Sequence, residues 1–134
     1  MRMKQFLLYF LLITIAVFGL GCVVAAVGVG AAGTIAYMRG DLEAVESENI
    51  DTVYEAALQA AEELELRIIS KTKDALSATI IARDAQDKKV QIILRTTAEN
   101  TTKLSIRIGT FGSETKSRLI YQKIYDNLKE KQNT

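Results

Sequence analysis

Residues 5–38 carry no charged side chain, so the rest of this 134-residue chain holds all of its Lys, Arg, Asp and Glu. Such a run exceeds the ~20 apolar residues that cross a hydrocarbon core. A domain the size of the remainder has too little interior to cover it, so burial inside a soluble fold is excluded. The chain therefore divides into an oily front and a charged remainder large enough for one small domain, since ~60 residues already suffice.

The front has the layout of an export signal. Arg2 and Lys4 precede an apolar run from Phe6 to Phe18, followed by Gly19-Leu20-Gly21-Cys22. A basic start, an apolar stretch and small residues at a processing point are its three parts. A Cys directly after Gly is the lipoprotein variant, in which residues 1–21 are removed and Cys22 is acylated. One departure stands out: Gly19 occupies the place where Leu is usual, and Leu20 comes one position late. The competing reading is an uncleaved membrane helix, with Arg2 and Lys4 inside and the domain outside. The small residues and the length of the apolar stretch favour the lipoprotein; both readings export the domain. Val23 after Cys22 is not the Asp associated with inner-membrane retention, so an outer-membrane anchor facing the periplasm is expected.

Residues 22–46 read as the lipidated Cys, a Gly/Ala-rich apolar segment and an acidic linker. Small residues recur every four positions, at Gly28, Ala32 and Ala36 and at Ala26, Gly30 and Thr34. In a membrane helix that spacing permits close association; in water it makes a flexible spacer, and both readings stand. Tyr37 and Met38 beside Arg39 read as the interfacial boundary.

Residues 47–134 form the expected domain. Ile50, Val53, Tyr54, Ala57, Leu58, Ala61 and Leu64 follow helical spacing, with Asn49 or Ser47 as N-cap. The period then becomes two in runs centred on Ile68, Ile80, Ile92 and Ile106, separated by short polar breaks that suit hairpins. Ser113 is placed to cap a last helix whose inner stripe is Ile120, Tyr121, Ile124, Tyr125 and Leu128. The expected fold is α+β, a two-layer sandwich of helix, four-stranded antiparallel meander and helix, with both helices on one face.

Three strings carry a family resemblance: Gly30-Ala-Ala-Gly-Thr-Ile-Ala-Tyr-Met-Arg-Gly-Asp-Leu-Glu43, Ser70-Lys-Thr-Lys-Asp-Ala-Leu-Ser-Ala-Thr-Ile80 and Ile108-Gly-Thr-Phe-Gly-Ser-Glu114. They resemble a family of short bacterial lipoproteins described as domain of unknown function 3568. The likeness covers nearly everything after Cys22. It implies a lipidated envelope protein and no particular activity.

Composition narrows the chemistry. With one Cys and no His, the chain has no internal disulfide, no ordinary zinc site and no Cys/His or Ser/His nucleophile pair. No catalytic residue, metal ligand or cofactor is expected. The candidate interaction face is the sheet surface turned away from the helices. Alternation assigns it Arg67, Lys71, Arg83, Arg95, Lys103 and Arg107 around Ile69, Ile81 and Ile93, with no acid among them. Such a face suits an acidic or amphipathic partner, such as an envelope protein, anionic headgroups or a glycan; it also suits a merely solvated sheet. Nucleic acid is disfavoured, because the face lacks aromatics for stacking. Asp84 and Asp87 read as turn residues. Gly109-Thr-Phe-Gly112-Ser113 reads as a tight strand-to-helix connection without the Lys of a phosphate-binding loop, and Phe111 as a plug over the core edge. The expected partners are therefore membrane lipid, through acylated Cys22 or an apolar helix, and an envelope protein.

Overall fold

The computed structural model describes residues 2–13 and 35–134. Cys22, the expected cleavage point and the small-residue positions 26–34 lie outside the described residues. Residues 2–13 are helical (α1). Among the described residues no helix is long and apolar enough to cross a membrane.

The remaining elements are β1 (Ile35–Met38), β2 (Asp41–Glu46), α2 (Ile50–Glu63), β3 (Arg67–Lys73), β4 (Ser77–Arg83), β5 (Lys89–Ala98), β6 (Thr101–Ile108) and α3 (Glu114–Gln132). All six strands form one antiparallel sheet in the order β1-β2-β6-β5-β4-β3. The fold is thus α+β, but the expectation of a four-stranded sheet is corrected. β3 to β6 pair in sequence as a meander, and β1 and β2 extend it past β6. The acidic linker expected at 41–46 is a strand, and Ala36, assigned to a helical small-residue stripe, sits opposite Glu43 in a ladder.

Each connection has a local cause. Arg39 and Gly40 both adopt positive φ, 55° and 90°, as the two-residue turn that matches strand twist requires. Asp74 accepts the N–H groups of Leu76 and Ser77, and Asp84 those of Gln86 and Lys88, so each carboxylate closes its own turn. These bonds hold both acids below the usual carboxylate range; for Asp84 the larger cause is Lys116, 2.7 Å away. Asn49 caps α2 as expected, accepting from the N–H of Thr52 at 2.9 Å. Ser113 stands at the N-cap of α3, but its side chain makes no capping bond.

The core lies between the sheet and the two helices. Leu42, Ile80, Ile92, Leu94, Leu104 and Ile106 from the sheet and Val53 and Ile124 from the helices are fully buried. Each large side chain so buried contributes roughly 1.5–3 kcal/mol. Four alanines on α2 (Ala56, Ala57, Ala60 and Ala61) are also fully buried, which brings its backbone close to its neighbours; Asn127 of α3 donates to the carbonyl of Ala56 at 3.3 Å. Among the described residues, the buried core residues all come from residues 42–128.

At the β3 edge a bulge between Ile68 and Ser70 inserts Ile69 and shifts the phase of the strand. Beyond it Lys71 and Lys73 stand opposite the core residues Ile80 and Ala78, on the helix side, and Lys73 pairs with Asp51 in the first turn of α2. A bulge and exposed lysines are common protections of a free edge.

Candidate functional site

The sheet face away from the helices is built by strand alternation. Its cross-strand rows follow from the register. Arg67 faces Arg83, which faces Lys89; Ser70, Ile81, Gln91, Arg107 and Asp41 form the next row; Thr72, Thr79, Ile93, Ser105 and Glu43 the third; Ser77, Arg95, Lys103 and Val45 the fourth. Arg67, Arg83, Arg95, Lys103, Arg107, Ile81 and Ile93 therefore share this face as expected. Two residues do not conform. Lys71 lies on the helix side because the bulge shifts it, and Ile69 is the bulged residue itself, exposed at the sheet edge.

The absence of acids is also corrected. β2 brings Asp41 and Glu43 onto the face, where Asp41 meets Arg107 at 3.2 Å and Glu43 meets Lys103 at 3.0 Å. Arg67 pairs with Asp87 at 3.3 Å. Both members of each pair are exposed or half-buried, so each contributes at most about 1 kcal/mol. Arg95 has no carboxylate partner among the described residues and borders a shallow depression of about 140 Å³ with Ile93 and Ser105. The period-two pattern that would have revealed these acids is present in Asp41-Leu-Glu-Ala-Val-Glu46, with Leu42 and Ala44 inward.

Arg107 does more than line the face. Its Nη1 donates to the carbonyl of Arg39 at 3.0 Å and to Asp41, and its Nη2 donates to the carbonyl of Thr110 at 2.6 Å. One guanidinium thereby joins the β1–β2 turn to the β6–α3 loop. Gly40 and Gly112 meet directly at this junction. Phe111, expected to plug the core edge, instead points outward and is 91% exposed. Tyr37, expected at a membrane boundary, packs against the core.

Between this loop and the β4–β5 turn lies a cleft of about 610 Å³, whose walls include Arg83, Lys88, Lys89, Gln91 and Arg107. Its acid is Asp87, which is engaged by Arg67, while its carbonyl accepts from Arg83 at 2.8 Å. Among the described residues no group of three or more His, Cys, Asp and Glu is placed to hold a metal.

One polar pair lies inside the core: Tyr121, expected on the inner stripe of the last helix, meets Glu46, expected in an acidic linker. Glu46 and Tyr121 are both buried, and the Tyr121 hydroxyl donates to the Glu46 carboxylate at 2.5 Å. Burial pushes the Glu46 carboxyl above its usual 4.5, partly offset by the Tyr121 bond, and burial together with Glu46 pushes the Tyr121 hydroxyl up. A carboxyl whose folded pKa is raised contributes stability that is present below about 4.5 and lost as pH rises through the folded value. Glu46→Gln keeps an acceptor for Tyr121 and removes the titration. The variant is expected to gain stability over wild type, with a gain that grows from pH 4.5 to pH 7.5. Urea unfolding of both proteins at several pH values measures it; a gain independent of pH would refute the assignment.

A family model described as a protein of unknown function, DUF3568, matches residues 5–127, across both the uncharged segment and the domain. No curated protein matches the chain.

Proposed function

We propose that this chain, which belongs to the DUF3568 family of proteins of unknown function, is a membrane-tethered interaction module of the cell envelope and not a catalyst. The observation that carries this reading is the joining of an uncharged 34-residue segment to a domain whose second sheet face is covered by no described helix. The family match runs through both parts, which supports reading them together. Cys22, acylated after removal of residues 1–21, would hold the domain on the periplasmic side of the outer membrane. The face around Ile81, Ile93 and Arg95 would receive an envelope protein, with Arg95 offering the charge that no described neighbour neutralises.

The test uses the full chain in cells. Labelled fatty acid is expected in wild type and lost in Cys22→Ala, and a photo-crosslinker at position 93 is expected to capture a partner that Arg83→Glu with Arg95→Glu releases. An unprocessed, unlabelled mass beginning at Met1 would replace the lipid tether by a single uncleaved span. Full-length chain recovered from the cytosol would overturn both.

A further inference from the structure

The end of the sheet that holds the Arg39–Gly40 turn gathers charge and apolar surface in an unusual combination. Four acids at this end are each taken up by a base, Asp41 by Arg107, Asp84 by Lys116, Asp87 by Arg67 and Glu114 by Arg118, and exposed Glu65 before β3 has no ion pair among the described residues. Arg39, Arg83, Lys88 and Lys89 stand there with no carboxylate partner among the described residues. The last three line the cleft of about 610 Å³, and Phe111 closes its other side.

Phe111 is held there by structure. Arg107 fixes the carbonyl of Thr110 beside it, and Gly112 after it lies against Gly40. A phenyl ring that is 91% exposed on so well-tied a loop forgoes the stabilisation that burial would give it. Met38, in the pair that closes the neighbouring turn, is 61% exposed. Free phosphate would use the cations but not the ring. The headgroup zone of an anionic bilayer offers both negative charge and an apolar layer a few ångströms deeper.

We infer that this end of the domain docks on an anionic membrane surface, with Phe111 inserted at the interface and Arg83, Lys88 and Lys89 on lipid phosphates. The inference builds on the proposed tether, because a domain held at a bilayer meets it at high effective concentration. The docking geometry would turn the β4–β5 turn and the β6–α3 loop toward lipid. Part of the open face, around Ile93 and Arg95, would remain available to a partner.

The chain contains no Trp, so Phe111→Trp supplies a single indole fluorophore at the point of contact. The experiment uses residues 35–134, which form one compact unit and hold all the described core residues, with a cooperative thermal melt confirmed before vesicles are added, so the result does not depend on acylation of Cys22. Vesicles containing phosphatidylglycerol are expected to shift the indole emission to the blue, and brominated lipid to quench it. Pure phosphatidylcholine vesicles should do neither. Each basic residue near an anionic surface is worth roughly fivefold in partitioning, so Lys88→Ala with Lys89→Ala, added to Phe111→Trp, should weaken it by about 30-fold. Raised salt should weaken it further. Unchanged emission with phosphatidylglycerol vesicles overturns the inference, as does an equal shift with phosphatidylcholine. A shift with soluble polyphosphate but none with vesicles assigns the cleft to a soluble anion and overturns docking on lipid. Failure of Cys22 labelling leaves a positive vesicle result standing, and failure of the vesicle result leaves the tether standing.

Discussion

A chain trimmed to residues 47–134, the domain as its hydrophobic periodicity alone would define it, is expected not to fold cooperatively, whereas residues 35–134 are expected to do so. The shorter piece loses β1 and β2 and with them the ladder that covers β6 from Thr102 to Arg107. Leu42 and Ala44, both fully buried, are removed from the core. Losing a buried leucine side chain alone costs about 2–5 kcal/mol. Tyr121 keeps a buried hydroxyl without its acceptor, and Arg107 loses both Asp41 and the carbonyl of Arg39. Against a total stability of about 5–15 kcal/mol for such a domain, these losses together remove most or all of it. Thermal melts followed by circular dichroism measure the outcome. A sharp transition in the 47–134 piece, within a few degrees of the longer one, would show that β1 and β2 are ornaments on a four-stranded core.

The difference between those two boundaries shows what the residues disclose by themselves. Helices α2 and α3 were legible because their apolar positions recur at helical spacing and their outer faces are charged. Strands β3 to β6 were legible because β-branched residues alternate with bases. β2 was hidden by its own chemistry. Its inward positions are Leu42, Ala44 and Glu46, and a buried Glu bonded to Tyr121 looks, in a one-dimensional pattern, like one more acid of a linker. β1 was hidden by its context, since Ile35-Ala-Tyr-Met38 ends an uncharged run whose length points to a membrane. The hidden β2 matters at the candidate face, because the acids that pair with Lys103 and Arg107 come from it. The bulge at Ile69 had a similar effect: alternation carried through it puts Lys71 on the wrong side. A period of two identifies faces only as long as no residue is inserted.

The glycine junction supplies the sharpest point test. Gly112→Ala is expected to destabilise the domain by about 3 kcal/mol, while Gly109→Ala costs about 1 kcal/mol. Both residues have positive φ, 80° and 68°, so both substitutions carry a conformational cost of roughly 1–2 kcal/mol at most. They differ in what a side chain would meet. A Cβ on Gly109 finds nothing within 4 Å, but one on Gly112 would lie 2.3 Å from the carbonyl oxygen and 2.5 Å from the Cα of Gly40. Those are backbone atoms of a two-residue turn, and the Arg107 guanidinium holds the neighbouring Arg39 carbonyl as well. They cannot yield without opening the contact between the β1–β2 turn and the β6–α3 loop, which adds an overpacking cost of about 1–3 kcal/mol. In a domain of this size each kcal/mol moves the melting temperature by about 4–8 °C, so the two variants should melt roughly 10 °C apart. Equal melting temperatures would mean that the turn and the loop do not press on each other as described. The same contact orients Phe111, so Gly112→Ala is also expected to weaken partitioning onto phosphatidylglycerol vesicles while the domain is still folded. Gly109→Ala, which leaves the junction closed, should not.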